Sequence, residues 1–204
     1  MARGIDTKSI RKKLKRYFSP SPTWKFQRRL RKVEYYLNCK KDPISRIYII
    51  FLRKRFSSIS LRPGFSIPQN VFGPGLCILY YGTIVVHSNA RIGKNCRLEV
   101  CVNIGASGDY PEAPQIGDNV YIAPGVKIYG DITLGNNIAI AANSSVNKSF
   151  NEDGILLAGS PARKIKEINI NRIIIGQDQP NALQGKRHIN RTNVLFQNIS
   201  LTFI

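Results

Sequence analysis

The chain has 204 residues and a net charge of +19, from 31 Lys and Arg against 12 Asp and Glu. This length suits one compact domain with an appendage and can bury a substantial core. The best apolar run, residues 44–52, contains Arg46 and is far shorter than the roughly 20 residues of a membrane span, which argues against an integral membrane protein. We therefore expect a cytoplasmic protein, with any membrane contact peripheral and at the inner face.

Positive charge is concentrated near the N-terminus. Of the 31 Lys and Arg, 18 precede Ser60, and only Asp6, Glu34 and Asp42 oppose them in that stretch. Such a field attracts phosphates, anionic lipid or acidic polymers, but it does not decide a fold. Residues 1–16 are basic yet lack an apolar core and a small-residue cleavage site, so we expect no signal peptide.

Two helices are predicted within this basic region, residues 1–64. Residues 24–38 carry apolar side chains at helical spacing, and a second helix is predicted from Asp42 to about Phe56. The predicted apolar side of the second helix consists of Ile47, Ile50 and Phe51. We expect the helices to cap the fold that follows and to keep their cations in solvent. The alternative is that the cations also hold the protein near an anionic membrane or substrate.

A six-residue repeat dominates the centre of the chain. Aliphatic residues open successive sextets at Ile92, Leu98, Ile104, Ile116, Ile122, Ile128, Leu134, Ile140 and Val146. Neither an α-helix nor a simple alternating strand has this period. We therefore predict a parallel β-helix in which each sextet forms one short strand and one corner, with its opening side chain pointing inward.

Three sextets make one triangular coil, so the faces of the β-helix can be assigned. The first face is predicted to hold Phe72, Ile92, Ile116 and Leu134, the second Ile78, Leu98, Ile122 and Ile140, and the third Val86, Ile104, Ile128 and Val146. Residues 104–115 span two sextets and are predicted to form one sextet plus a loop leaving the third face. Residues 162–167 are predicted to leave the coil. The predicted ranges are 1–64 for the helices, 65–165 for the β-helix and 166–204 for a tail without assigned structure.

The cysteines do not indicate a metal site. Cys39, Cys77, Cys96 and Cys101 have no CxxC spacing and lie among apolar neighbours. We interpret them as reduced thiols, in preference to disulfides or metal ligands, and predict no metal.

Sextets of this kind resemble the left-handed β-helix acyltransferases. Within them the chain is most similar to the serine O-acetyltransferases and their relatives that acetylate sugars of capsular and other surface polysaccharides. The motifs that carry the resemblance are VFGPGL (71–76), YGTIVV (81–86), ARIGKNC (90–96), VNIGAS (102–107), PQIGDNVYIAPGVKIYGDI (114–132) and AGSPARKI (158–165).

The resemblance implies an all-β fold, a left-handed parallel β-helix of hexapeptide repeats preceded by a small basic α-helical region. It implies an acetyl-CoA-dependent O-acetyltransferase acting on a sugar hydroxyl of a surface polysaccharide or its precursor, or on serine. It also implies a homotrimer that binds acetyl-CoA in a groove between subunits. The cofactor positions it implies here are Gly105, Ala106, Pro124, Gly125, Ala142, Gly159, Arg163 and Lys164.

The repeat agrees with this placement, because Pro124 and Ala142 are both third residues of second-face sextets. They should stack one coil apart at about 4.8 Å and leave room for the pantetheine arm. Arg163 and Lys164 suit a nucleotide phosphate. The alternative is that the Gly, Ala and Pro residues only satisfy the coil corners.

The sequence departs from the resembling enzymes at the catalytic positions. Transfer of an acetyl group to a hydroxyl needs a base, and these enzymes use a His. That position is Tyr80 here, which is predicted to lie in the column of Pro124 and Ala142. A supporting Asp of the family corresponds to Ser66, and a second His corresponds to Ala113.

His87 is the best remaining base candidate. It is the second residue of a third-face sextet, which predicts a position one coil from Gly105, where the loop leaves. Tyr80 would hydrogen-bond the acceptor, or act as base only if its pKa were far below about 10. The other histidine, His188, lies in the tail. A solvated corner His without a catalytic role is the alternative.

Three functions follow. The first is an active O-acetyltransferase with His87 or another group as base. The second is a degenerate protein that keeps the trimeric scaffold and its CoA groove. The third is a basic protein that binds anionic membrane or nucleic acid. No nucleic-acid motif supports the third, so we expect no nucleic acid partner.

Overall fold

The computed structural model describes residues 21–108 and 111–174. Two helices come first, α1 over Pro22–Cys39 and α2 over Pro43–Leu61. Both begin at proline after a capping side chain, which fits the preference for proline in the first turn. Ser21 Oγ accepts from the Trp24 N–H at 3.3 Å, and Asp42 Oδ2 accepts from the Ser45 N–H at 2.9 Å. His188 and most of the predicted tail lie outside the described residues.

Fourteen short strands follow in the described ranges. They are β1 Phe65–Ser66, β2 Cys77–Ile78, β3 Ile84–Val86, β4 Arg91–Ile92, β5 Arg97–Leu98, β6 Asn103–Gly105, β7 Gln115–Ile116, β8 Tyr121–Ile122, β9 Lys127–Tyr129, β10 Thr133–Leu134, β11 Ala139–Ile140, β12 Ser145–Val146, β13 Ile155–Gly159 and β14 Ala162–Glu167. A 3₁₀ turn, Ile170–Arg172, follows the last strand. No helix in these ranges is long and apolar enough to cross a membrane.

The strands form three sheets that correspond to the three predicted faces. The first sheet has the order β10-β7-β4, the second β14-β13-β11-β8-β5-β2 and the third β1-β3-β6-β9-β12. Register pairs such as Ile92↔Ile116, Leu98↔Ile122 and Ile104↔Ile128 are parallel and join the residues assigned to each face. The predicted faces are therefore confirmed. Their opening side chains are at most 5% exposed and form the core.

Asparagine side chains stack along one corner of the β-helix. Asn95, Asn119 and Asn137 have φ of 56°, 57° and 57°, a left-handed conformation that Asn tolerates better than most residues. Asn95 Nδ2 donates to Asn119 Oδ1, and Asn119 Nδ2 donates to Asn137 Oδ1, both at 3.0 Å. The ladder holds the corner between the first and second faces.

Helix α1 covers the open end of the β-helix. Phe26, Leu30 and Val33 are buried in the common core. Arg31 Nη1 donates to the Phe72 carbonyl at 2.9 Å, and Glu34 Oε1 accepts from the Asn70 N–H at 2.8 Å. The predicted capping role is confirmed for this helix.

The predicted apolar side of α2 is wrong. Ile47, Ile50 and Phe51 are 73%, 70% and 53% exposed. The buried residues of α2 are Ser45, Leu52, Phe56 and Ser60. Apolar residues occur on both sides of this helix, so their spacing could not indicate which side meets α1 and β1.

The last strands form a hairpin. Strand β13 continues the second sheet in parallel, with Leu157 beside Ile140. Residues 162–167, expected to leave the coil, turn back as β14 and pair antiparallel with β13. Ala162 is buried, so the hairpin closes the far end of the β-helix.

Candidate functional site

Small residues form a strip along the corner between the second and third faces. The register of Ile122, Ile140 and Leu157 places Pro124, Ala142 and Gly159 one above another, two residues further along each strand. The Asn143 N–H donates to the Pro124 carbonyl at 2.9 Å, which joins successive coils. Pro124 and Gly159 are exposed and Ala142 is half-buried. We call these three residues the corner strip, and the predicted stacking of Pro124 on Ala142 is confirmed.

The conformation of the corner favours glycine at position 125. Its φ is +76°, and an added Cβ would lie 2.1 Å from Asn143 Oδ1. A side chain here would be strained at this φ and would require Asn143 to shift, whether or not a ligand lies alongside. The glycine at this position is thus explained by the coil, whereas the neighbouring corner strip presents its outer surface to solvent.

The register of Ile78 with Leu98 places Tyr80, two residues further along, at the level of the predicted column, but the turn that follows is longer than in the next coil. Seven residues separate Ile78 from Val86, whereas five separate Leu98 from Ile104 in the next coil. The longer turn brings Gly82 against the next coil, where an added Cβ would lie 3.3 Å from Val100 Cβ. Tyr80 and Tyr81 project from this turn and are 62% and 70% exposed.

A charged cluster lies next to this turn, on the outer side of the second face. Arg97 Nη2 donates to Glu99 Oε1 at 3.1 Å, and its guanidinium lies 5.2 Å from the Tyr121 ring centre. Arg97 Nη1 also donates to the Ile173 carbonyl at 3.1 Å. Glu99 is only 5% exposed, unusual for a carboxylate on the outer side of a sheet.

The pKa values of Glu99 and Tyr121 in this cluster are both shifted upward. Burial raises the pKa of Glu99 although the Arg97 charge acts in the opposite direction. Burial raises the pKa of Tyr121 as well, and the negative charge of Glu99 adds to the effect, whereas Arg97 opposes it. Sequence reasoning missed this cluster. The available signal was that Arg97 and Glu99 flank the inward Leu98 and so share the outer side of one strand.

His87 lies at the opposite edge of the third face. The His87 N–H donates to the Ile104 carbonyl at 2.8 Å, which places His87 beside Gly105 as predicted. His87 Nδ1 accepts from the Asn89 N–H at 3.2 Å. In the neutral ring this bond leaves the proton on Nε2. The imidazole then presents a donor to the site, and Nε2 can accept a proton only if the Asn89 bond is given up.

The extruded loop leaves next to His87. Gly105 and Ala106 are half-buried at its start, and Asn89 Nδ2 donates to the Pro111 carbonyl at 2.7 Å. Ala113, predicted to correspond to the family's second His, is buried, whereas Glu112 is exposed. Ser66, predicted to correspond to the supporting Asp, is exposed on β1 beside Val85.

The two predicted phosphate-binding cations differ. Lys164 pairs with Glu152 and lies 3.9 Å from Glu167, and the hydrogen bond to Glu152 raises the pKa of Lys164. Arg163 has an exposed side chain on β14. Arg163 is thus available to an anion, whereas Lys164 is engaged by carboxylates. In the described ranges no group of three or more His, Cys, Asp and Glu could hold a metal ion.

Within one chain, the two parts of the candidate site, the corner strip and the edge of the third face at His87, are far apart. Pro124 precedes the third-face strand and Tyr129, beside Gly105, ends it. Five extended residues span up to about 17 Å. The corner strip and the His87 edge therefore lie at opposite ends of the third face.

The comparisons with known proteins agree with this architecture. Residues 113–148 match the family model described as bacterial transferase hexapeptide (six repeats). The serine acetyltransferase of Staphylococcus xylosus is 32% identical over 130 residues, covering 63% of this chain and 57% of that protein. The serine acetyltransferase of Staphylococcus epidermidis is 35% identical over 118 residues, 57% of this chain and 53% of that protein.

Solved structures of serine acetyltransferases are also similar to this chain. Serine acetyltransferase from Brucella abortus has 25% identity and a TM-score of 0.56, covering 73% of this chain and 58% of that one. The structure of the same enzyme in complex with coenzyme A is 27% identical, with a TM-score of 0.57, and the match covers 72% of this chain and 57% of that one. The Vibrio cholerae structure, at 20% identity, a TM-score of 0.63 and coverage of 82% and 63%, supports the fold alone.

These matches are partial, since the chain spans about half the length of the curated relatives it matches. They imply the left-handed form of the β-helix. They confirm the predicted resemblance of this chain to the hexapeptide-repeat acyltransferases, with serine acetyltransferases as similar proteins in both sequence and structure.

Proposed function

We propose that this protein is an acetyl-CoA-dependent O-acetyltransferase. The observation that carries the proposal is the corner strip of Pro124, Ala142 and Gly159, which offers a narrow surface of small residues along successive coils. The similarity to serine acetyltransferases, one of them solved with coenzyme A, supports the same function. Because acetyl-CoA is a cytoplasmic metabolite, we assign the protein to the cytoplasm.

The residues present fit a CoA molecule. The strip has no bulky side chain to displace the pantetheine arm, and Gly105 and Ala106 add a second small surface at the loop exit. Arg163 is the better placed cation for a nucleotide phosphate, because Lys164 is already paired with Glu152. When bound, acetyl-CoA would supply the activated acetyl group.

The separation of the two halves supports a homotrimer. The strip and the His87 edge of one chain are up to about 17 Å apart along an extended path, too far to act on one acetyl group. A neighbouring subunit can bring its loop and His87 against the strip, and closed cyclic symmetry then forms equivalent sites. We propose that each site is shared between two subunits.

The acceptor is proposed to be a hydroxyl compound, either a sugar of a surface polysaccharide or its precursor, or serine. Tyr80 is exposed and suited to hydrogen-bond the acceptor. His87 is the proposed base and would take the hydroxyl proton through Nε2. To do so it must exchange the 3.2 Å bond from the Asn89 N–H, because a neutral imidazole accepts at only one nitrogen.

A degenerate protein that binds CoA without chemistry is the second candidate. The specific observation in its favour is that His87 presents a donor, with Tyr80 at the family's His position. The same strip would be kept, so CoA binding alone does not separate the two candidates.

The test measures CoA binding and thiol release separately. Calorimetry with CoA gives binding, and release of CoA thiol from acetyl-CoA is followed with a panel of sugars and serine. We expect release with at least one hydroxyl acceptor, reduced about a hundredfold or more in His87→Ala and less in Tyr80→Phe.

The outcomes distinguish the candidates. CoA binding without turnover on any acceptor would leave the degenerate protein, and absence of CoA binding would remove both. Sedimentation of the wild-type protein tests the trimer, and a monomer that remains fully active would exclude a shared site.

A further inference from the structure

The solvent-facing side of α2 carries a contiguous group of large apolar residues. Ile44, Ile47, Ile50 and Phe51 are 81%, 73%, 70% and 53% exposed. At 100° per residue they fall within an arc of about 120°, opposite the buried Leu52 and Phe56. We call these four residues the α2 apolar face. Single exposed apolar residues need no explanation, but a contiguous group of them marks an interaction surface.

Cations surround this face and acidic residues do not. Helix α2 contains no Asp or Glu, and Arg46, Arg53, Lys54 and Arg55 are all exposed. The exposed Lys40 and Lys41 precede it.

The two nearby carboxylates are already used. Between residues 21 and 62 there are twelve Lys and Arg against only Glu34 and Asp42. Glu34 is buried and bonded to Arg31, and Asp42 caps the helix. With these two carboxylates against twelve cations, the surface of α2 keeps an excess of positive charge, which favours a negatively charged partner.

Aromatic side chains flank the apolar face. The rings of Tyr48 and Phe51 are 6.3 Å apart, and Tyr36 packs against Tyr48 at 5.0 Å. Arg55 lies 5.8 Å from the Phe51 ring. Tyrosines beside cations are typical of side chains at the boundary between lipid and water.

We propose that the α2 apolar face docks on the surface of an anionic lipid bilayer. The isoleucines and Phe51 enter the boundary between headgroups and acyl chains, and the surrounding Lys and Arg contact lipid phosphates. Since α2 packs on α1 and β1 at the first coil, the opposite side of the helix can lie on a membrane without covering the corner strip.

A second copy of the chain is a poorer occupant. An isologous contact through α2 would bring the same cations of both copies together, with no acidic residue on either helix to pair with them. A bilayer containing anionic lipid supplies the missing charge. The inference is independent of acetyl transfer, which takes place elsewhere on the molecule.

The test is co-sedimentation of the full chain with vesicles. Vesicles of phosphatidylcholine with about 30% phosphatidylglycerol are compared with pure phosphatidylcholine, at low and high salt. The variant of the α2 apolar face is the double substitution Ile47→Asp and Ile50→Asp. The matched control is Ile165→Asp, which introduces the same type of charge at a 57% exposed isoleucine on β14.

We expect the wild type and Ile165→Asp to bind anionic vesicles, weakly at high salt, and the double variant to bind about tenfold less or worse. Circular dichroism confirms that the double variant is folded. Equal binding of the double variant, or equal binding to neutral vesicles, would overturn the proposal. A change in sedimentation coefficient caused by the double variant, without a change in vesicle binding, would assign the face to a second copy of the chain.

Discussion

The side-chain amide of Gln27 pairs with both backbone polar groups of Ile78. Its Nε2 donates to the Ile78 carbonyl and its Oε1 accepts from the Ile78 N–H, each at 3.3 Å. Ile78 belongs to β2, the edge strand of the second sheet. The glutamine takes the place of the missing neighbouring strand, which links α1 to the first coil and closes an edge that could otherwise pair with another chain.

Substitution Gln27→Ala should therefore lower the free energy of unfolding by about 1–2 kcal/mol, because both Ile78 groups lose a partner at a partly buried edge. Urea denaturation measures the change. Lys25→Ala, on the exposed side of the same helix, is the control and should change stability by less than about 0.5 kcal/mol. Equal effects of the two substitutions would show that the amide contact contributes nothing.

Glu99 makes stability depend on pH in an unusual direction for a carboxylate. Burial raises its pKa above the ordinary 4.5, so over part of the acidic range the folded protein keeps a proton that the unfolded chain has lost. The favourable contribution is complete below the unfolded pKa and is lost as pH rises through the folded pKa. The difference in unfolding free energy between wild type and Glu99→Gln should thus fall as pH rises from about 4 towards 7.

Denaturation of both proteins across this pH range measures the difference in their unfolding free energies. The contributions of the other titrating groups are the same in both proteins and cancel in this difference. A difference that rises with pH would mean that the attraction of Arg97 outweighs the burial of Glu99. Measuring the acetyltransferase activity of wild type and Glu99→Gln in parallel shows whether the Arg97–Glu99 cluster also influences the role of the neighbouring Tyr80.

The faces of the β-helix could be predicted because the six-residue period alone decides which side chains stack inside. Every opening position of the predicted faces, from Phe72 to Val146, is hydrophobic, and every one is buried. The capping role of α1 followed from its single apolar side. These parts of the fold depend on local spacing, which the sequence contains directly.

Other features depend on contacts that spacing does not encode. Helix α2 has apolar residues on both sides, and only its packing on α1 and β1 selects Leu52 and Phe56 as buried. Two extra residues between Ile78 and Val86 bring Gly82 against Val100, a contact that the six-residue spacing does not encode. The Arg97–Glu99 pair was missed because polar residues at outward positions of a coil are ordinarily solvated.

Gly117 illustrates how tightly the first-face corners pack. A Cβ added there would lie 2.6 Å from the Gly135 carbonyl oxygen in the next coil, closer than real contacts allow. Gly117→Ala should therefore force two coils apart and cost about 2 kcal/mol or more of stability. Gly105→Ala is the comparison, since its methyl would meet only the Asn103 side chain at 3.3 Å. Thermal denaturation of both variants checks the order, and an unaffected Gly117→Ala would contradict it.

Ala142 offers a direct test of the corner strip. Ala142→Trp places a large ring between Pro124 and Gly159 and should weaken CoA binding by about tenfold or more, while leaving the fold intact because the side chain can turn outward. Lys94→Trp is the control, since it adds the same ring at an exposed position between the first and second faces. Calorimetry with CoA gives both affinities. Equal affinities would place the cofactor elsewhere.

Tyr80→His introduces the residue that we predict the resembling enzymes to carry at this position. The exposed turn tolerates the change, and an imidazole is a more effective general base than a phenol. In a His87→Ala background, where the proposed base is absent, we expect Tyr80→His to raise thiol release by about tenfold to a hundredfold. Adding Ser66→Asp should increase the rate further only if that carboxylate reaches the new imidazole.

If Tyr80→His raises the rate in the His87→Ala background while wild type has no activity, the natural protein has lost its base and kept its site. If Tyr80→His has no effect although CoA still binds, the acceptor hydroxyl does not approach the turn at Tyr80, and the proposed acceptor position is wrong.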